Sequence, residues 1–207
     1  MNLSYAITVC NEFLEIQKLV AFLLNSKRPQ DEIVILYDSN NGDPEVEAFL
    51  RSRSLNGEFN WHKAPFEGHF ADWKNHLTSL CNGSYIFQID ADELPNKVLI
   101  DQLPAIIEHN PGIDVLLVPR ENYVTGLTDN HVKRWGWKVD ENNRVNWPDM
   151  QWRVYRNCKE IKWINKVHER LDGFQVYTNL PVEAEYSLLH LKTIERQEKQ
   201  NNYYDTL

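Results

Sequence analysis

Cysteine is scarce in this 207-residue chain: Cys10, Cys81 and Cys158 are an odd number at wide spacings, with no Cys-x-x-Cys. That pattern supports neither a disulfide framework nor a zinc cage, and a reducing cytoplasm is the expected setting. Long apolar runs are missing as well. None approaches the ~20 residues of a membrane span, and the opening MNLSYAITVCNEF lacks the basic and apolar regions of a signal peptide. Positive charge is in deficit, with 22 Lys and Arg against 30 Asp and Glu, a net charge of −8 and a pI near 5.4. Binders of bulk nucleic acid or of membrane surfaces need a basic field, so both classes are disfavoured. An anionic ligand must then be met by local charge, such as a metal ion or one placed lysine. Neither Gly-x-Gly-x-x-Gly nor a P-loop occurs, so no glycine loop cradles a phosphate. Repeats, low-complexity tracts and Pro/Gly/Ser linkers are also absent, and residues 1–207 read as one domain.

What is present is ordinary globular composition, 42% hydrophobic and 25% charged. Residues 5–9 are β-rich, and Ile16, Leu19, Val20 and Leu23 recur at helical spacing until Pro29. The continuous apolar run at 32–37 predicts a strand buried on both faces. After the loop Asp38-Ser39-Asn40-Asn41-Gly42-Asp43, Pro44 suits the first turn of a helix running to about Ser54. Strands at 59–62 and 85–89 flank a helix over 68–81, and a helix over 96–109 precedes a strand at 113–119. Strand alternating with helix gives an α/β fold with a mostly parallel, Rossmann-like sheet and ligands at the carboxyl ends of its strands. The rhythm then breaks. Residues 121–180 are β-rich and irregular and hold five of the seven tryptophans, and the polar stretch from Thr193 predicts a helix. The natural division is a nucleotide-binding half, 1–95, and an acceptor-side half with its tail, 96–207.

The strongest local signal is Tyr85-Ile86-Phe87-Gln88-Ile89-Asp90-Ala91-Asp92-Glu93. An apolar strand delivers Asp90 and Asp92 to its carboxyl end, and in an extended backbone both point one way. Two hard oxygen ligands on one side suit Mg²⁺ or Mn²⁺ while leaving positions for phosphate oxygens. Asp38, ending the second strand, is placed either to meet a ribose or base edge or simply to form its turn.

These residues resemble glycosyltransferase family 2, with its GT-A fold. The likeness runs through Thr8-Val9-Cys10-Asn11-Glu12, Asp38, Asn75 and the Asp90-Ala91-Asp92 motif. It continues in Trp147-Pro148-Asp149-Met150-Gln151-Trp152-Arg153, similar to a PDxQxR segment, in Val167-His168-Glu169, and in His190-Leu191-Lys192 with Arg196-Gln197. The departures are Tyr37 and Cys10, where family members more often carry an acid and a Tyr or Lys. The resembled branch builds bacterial and viral surface glycans. The resemblance implies transfer of a sugar from a nucleoside diphosphate sugar, a UDP-sugar first of all, to a glycan or other hydroxyl acceptor. It implies Thr8, Asn11, Glu12, Asp38, Asn75, Asp90, Ala91, Arg153 and Lys192 at the nucleotide sugar, and Asp90, Asp92 and His190 on Mn²⁺ or Mg²⁺.

Elementary chemistry agrees. His190 and Lys192 share one side of an extended segment, with Leu189 and Leu191 on the other. A neutral imidazole suits Mn²⁺, and an ammonium beside it offsets diphosphate charge. Alternation predicts Asp149, Gln151, Arg153 and Tyr155 on one face, and Met150, Trp152 and Val154 on the other. Inverting transfer needs a carboxylate base; Asp149 and Glu169 are the candidates, Asp149 preferred for its sugar-facing row. One or more of Trp135, Trp137 and Trp147 is expected to stack on a sugar ring. If His190 and Lys192 act at the donor, the polar tail closes over it. Two rivals are a glycan-binding module that lost turnover and a sugar-phosphate nucleotidylyltransferase. The latter needs a Gly- and Arg-rich first loop that Cys10-Asn11-Glu12-Phe13 does not offer.

Overall fold

The computed structural model describes residues 1–204. Strand β1 (Leu3–Val9) leads into helix α1 (Phe13–Ser26), and β2 (Glu32–Asp38) into α2 (Pro44–Ser54), with Pro44 in its first turn. Next come β3 (Asn60–Ala64), α3 (Phe70–Ser79), β4 (Tyr85–Asp90), the short β5 (Glu93–Pro95) and α4 (Lys97–His109). Asn96 caps α4 by accepting from the Val98 amide at 2.9 Å. The second half holds β6 (Val115–Thr125), α5 (Asp129–Trp135), β7 (Val145–Arg156), β8 (Lys162–Ile164), β9 (Arg170–Asp172) and β10 (Tyr177–Asn179). It ends with β11 (Leu188–Thr193) and α6 (Ile194–Tyr204). A reciprocal Thr128–His131 capping box starts α5, and Gly136, at φ 66°, ends it in the left-handed conformation.

One mixed sheet runs β3-β2-β1-β4-β7-β6-β11-β5, with β10 beside the first residues of β6. The first four strands are mutually parallel, and β7 then enters antiparallel between β4 and β6. Apolar residues face both ways from the central strands, as a doubly covered sheet requires. Tyr5, Ile7, Ile35 and Phe87 meet α1, α2 and α4 on one face; Ala6, Leu36 and Ile86 meet α3, Trp163 and Leu171 on the other.

Strand β7 departs from simple alternation. Leu116 pairs with Val154 and Leu117 with Trp152, so Arg153 is the extra residue of a β-bulge. The bulge reverses the facing of the residues beyond it. Val154 joins the α1/α4 side, while Tyr155 packs with Met150 and Trp152 on the α3 side. Tyr155 therefore belongs to the core and not to the polar row, its hydroxyl 2.6 Å from Thr78 Oγ1 and 3.1 Å from Trp163 Nε1. Asp149, Gln151 and Arg153 keep their common side.

Candidate functional site

The carboxyl ends of β1, β2 and β4 open together at one edge, where the loops after them gather most of the predicted residues. The Thr8 hydroxyl lies 3.3 Å from Asp90 Oδ1, across the β1–β4 pairing. Glu12 folds back on its own loop, Oε2 accepting the Cys10 and Asn11 amides at 2.8 and 3.1 Å. Burial pushes its carboxyl upward, against those amides and Arg196. Ala91 is buried, with its amide on the Thr8 carbonyl at 3.2 Å.

Asp38 is a brace. Its Oδ1 accepts the Asn40 and Phe66 amides at 2.8 and 3.1 Å, and its Oδ2 accepts Asn41 Nδ2 at 2.9 Å and the Cys10 thiol at 3.9 Å. Burial, with Glu12 and Asp38 nearby, pushes that thiol up to about 12. Gly42 lets the loop close over β2, because a Cβ there would lie 2.2 Å from the Asp38 carbonyl oxygen and 2.3 Å from the Tyr37 ring. Asn75 is likewise occupied: its amide donates to the Trp163 carbonyl at 2.8 Å and accepts from the Trp163 N–H at 2.9 Å, fastening α3 to β8.

Asp90 and Asp92 have different surroundings. Asp90 Oδ2 accepts from Arg153 at 2.7 Å, and Oδ1 is 3.7 Å from Lys74 Nζ. Burial works to raise the Asp90 carboxyl, but Arg153 and Lys74 hold it well below the usual carboxylate range. Arg153, 3% exposed, also donates to Glu93 Oε1 at 2.6 Å, and Arg120 joins Glu93 to Asp149 at 2.9 and 2.7 Å. A carboxylate–guanidinium ladder therefore runs beneath the site from Asp90 to Asp149. Asp149 holds four donor groups: Oδ2 accepts from Arg120 Nε and Nη2 and from Asn122, and Oδ1 from Gln151. Burial would raise its carboxyl, and these donors, Arg120 foremost, hold it low.

Asp92 faces β11, where His190 is buried and Leu191, on the opposite side, is exposed. His190 Nε2 lies 3.3 Å from Asp92 Oδ2, and Nδ1 lies 2.7 Å from Asn122 Oδ1. The Asn122 orientation is set by its Nδ2, which donates to Asp149. Nδ1–H must then be the donor to Asn122, which leaves Nε2 as the ring nitrogen that faces the carboxylate. A carboxylate oxygen and a ring nitrogen so placed can share one cation. Two ligands each about 2.1 Å from one ion, at right angles, sit about 3.0 Å apart, so this edge fits a divalent metal. Burial would raise the Asp92 carboxyl, but His190, Lys192 and Arg196 hold it well below its ordinary range. Among the described residues no three His, Cys, Asp or Glu side chains converge on one point. The expected Asp90–Asp92–His190 trio is thus drawn together only at Asp92 and His190. Lys192 donates to Gln200 Oε1 at 2.6 Å, and burial lowers its ammonium pKa against the pull of Asp92.

Glu169 stands apart from the ladder. Lys74 Nζ is 2.5 Å from its Oε1 and 4.7 Å from the centre of the Trp163 ring. Glu169 Oε2 makes no hydrogen bond among the described residues, and the side chain is 17% exposed. Trp135, Trp137 and Trp147 are all half-buried, Trp135 stacking on His131 and Arg144 covering Trp147. Lys74, Arg120, Asn122 and Glu93 escape single-sequence reading, because only strand order brings them here; the one cue was Glu93, inside the same acidic turn.

Known proteins agree with this architecture. S. aureus TarS 1–349 in complex with UDP is similar at 16% identity and a TM-score of 0.61, over 94% of this chain and 61% of that one. Its complex with UDP-GlcNAc gives a TM-score of 0.62 at 16% identity over 93% and 59%, and the longer S. aureus TarS 0.61 at 15% over 97% and 38%. At such identities the likeness is one of fold, and the chain spans about three fifths of the 349-residue relative. No curated protein matches the sequence. The model of the family described as "Glycosyl transferase family 2" matches residues 4–177, most of the chain. With that match and a mostly parallel sheet opening on Asp90 and Asp92, this chain belongs to glycosyltransferase family 2.

Proposed function

We propose that the protein transfers a sugar from a UDP-sugar to a hydroxyl of a glycan or glycoconjugate, as in the branch of the family that builds surface glycans. The reading rests most on the Asp92–His190 edge, a carboxylate oxygen and an imidazole nitrogen 3.3 Å apart beside the ends of β1 and β4. A divalent cation held there, Mn²⁺ or Mg²⁺, supplies Lewis-acid stabilisation of the departing diphosphate. Lys192 lies within the field of Asp92 and adds positive charge for the diphosphate. The β1–α1 loop, closed by Glu12, shapes one wall of the donor site. In an acidic chain without a glycine loop, this local charge is what holds the nucleotide.

For the base, the geometry favours Glu169 over Asp149. Every lone pair of Asp149 that faces the ladder is engaged, which stabilises its anion and weakens it as a proton acceptor. Glu169 keeps Oε2 open and has Lys74 to fix Oε1. It would take the acceptor hydroxyl proton as that oxygen attacks the anomeric carbon. The half-exposed Trp135, Trp137 and Trp147 suit the acceptor side. Release of UDP from UDP-GlcNAc and other UDP-sugars, with Mn²⁺ and with EDTA, tests the reading. Mn²⁺-dependent turnover is expected; binding without any turnover would instead make the protein a nucleotide-sugar-binding module.

A further inference from the structure

Helix α6 crosses the mouth of the site with few apolar anchors among its described side chains, Ile194 being the buried one there. Beside the Lys192–Gln200 bond, Arg196 fastens it. Its Nη2 lies 2.7 Å from Glu12 Oε1, its Nη1 3.3 Å from Glu15 Oε1, and its Nη2 also 3.7 Å from Asp92 Oδ2. The same Asp92 oxygen faces His190. One guanidinium from the tail therefore joins the β1–α1 loop, the first turns of α1 and the carboxylate after β4. The sequence singled out Arg196 only as part of its tail motif.

We infer that Arg196 is a donor-site residue whose guanidinium stands in for a divalent cation at Asp92 in the metal-free protein and turns to the diphosphate when the metal is bound. The inference rests on the proposed donor site at Asp92 and His190. A divalent ion on Asp92 Oδ2 and a guanidinium at the same oxygen repel each other, so one must yield. A nucleoside diphosphate then brings more negative charge than one divalent ion neutralises, and Arg196, 31% exposed and 3.7 Å from Asp92 Oδ2, is the tail cation that the structure puts at this edge. Glu12 and Glu15 keep Arg196 at the site while it changes partner, so α6 serves as a latch in both states.

Arg196→Gln and Arg196→Lys, each checked for an unchanged core by near-UV circular dichroism, separate this role from simple tail packing. Mn²⁺ alone, titrated by the electron paramagnetic resonance of the free ion, should bind Arg196→Gln at least threefold more tightly than the wild type. UDP in saturating Mn²⁺ should bind it at least tenfold more weakly, with Arg196→Lys between the two. Hydrogen exchange over 194–204 in metal-free Arg196→Gln should be at least tenfold faster. Mn²⁺ affinity unchanged or weakened in Arg196→Gln, or UDP affinity unchanged, overturns the inference while wild-type UDP–Mn²⁺ binding leaves the donor reading standing. A wild type that binds neither Mn²⁺ nor UDP–Mn²⁺ overturns both.

Discussion

Arg153 is the side chain whose loss should be felt most, and replacing it with alanine tests how the site floor is built. Its guanidinium donates to Asp90 at 2.7 Å and to Glu93 at 2.6 Å, and the Glu93 side chain is wholly buried. Breaking a buried pair by removing one partner costs about 3–5 kcal/mol, because the other charge stays desolvated. Here each carboxylate retains one cation, Arg120 at 2.9 Å for Glu93 and Lys74 at 3.7 Å for Asp90. The lower end, about 3 kcal/mol, is therefore expected. For a domain of this size that corresponds to a fall in Tm of about 6–12 °C. Urea unfolding followed by tryptophan fluorescence at pH 7 measures it. The double variant Arg153→Ala/Glu93→Gln should recover about 1 kcal/mol or more, since it removes the stranded charge. The sign with pH is fixed too: Arg153 helps to depress the Asp90 carboxyl, so its stabilisation is present above about pH 4 and fades as pH falls further. The gap between wild type and variant should close in acid. A cost under about 1 kcal/mol at neutral pH, or a gap that widens in acid, would refute this account of the ladder.

Glu169→Gln should lower the transfer rate by about 10²–10⁴-fold while leaving UDP affinity intact, as measured by UDP release and calorimetry. Asp149→Asn should instead act mainly on stability, and normal turnover in Glu169→Gln would return the base to Asp149. Lys192→Ala should weaken UDP about tenfold, the worth of a charge-assisted hydrogen bond, and UMP much less; equal losses for both nucleotides would remove Lys192 from the diphosphate. Gln88 is fully buried, and neither its Nε2 nor its Oε1 has a hydrogen-bond partner among the described residues. Gln88→Met should therefore be neutral or stabilising by about 1 kcal/mol in urea unfolding, and a cost above about 2 kcal/mol would mean that the amide is satisfied in solution.

Much of the first half was legible because its signals are local. Period and punctuation located β1, α1, β2, α2 and β4, and an apolar strand ending in Asp90-Ala91-Asp92 pointed to the open edge. The family resemblance pointed to His190 and Lys192, and strand alternation put them on one side. What failed was what depends on register. A single inserted residue at Arg153 turned Tyr155 into the core, and nothing in the local pattern of β7 announces it. Asp38 and Asn75 look like ligand-binding side chains in sequence, and only the fold shows their further ties, Asp38 to the Phe66 amide and Asn75 to the Trp163 backbone. Asp90 and Asp92 look equivalent when read two apart. Arg153 from β7 and His190 from β11, over sixty residues away, set them apart.

The central claim is that the donor is held through a metal at Asp92 and His190, because no glycine loop is present to hold a diphosphate unaided. Unfolding of the wild type and of Asp92→Asn, with UDP in Mn²⁺ and in EDTA, tests it most directly. At UDP a hundredfold above its dissociation constant, the wild type in Mn²⁺ should gain about 2.7 kcal/mol. The gain should be far smaller in EDTA and lost in Asp92→Asn, whereas equal stabilisation by UDP in EDTA would contradict the account.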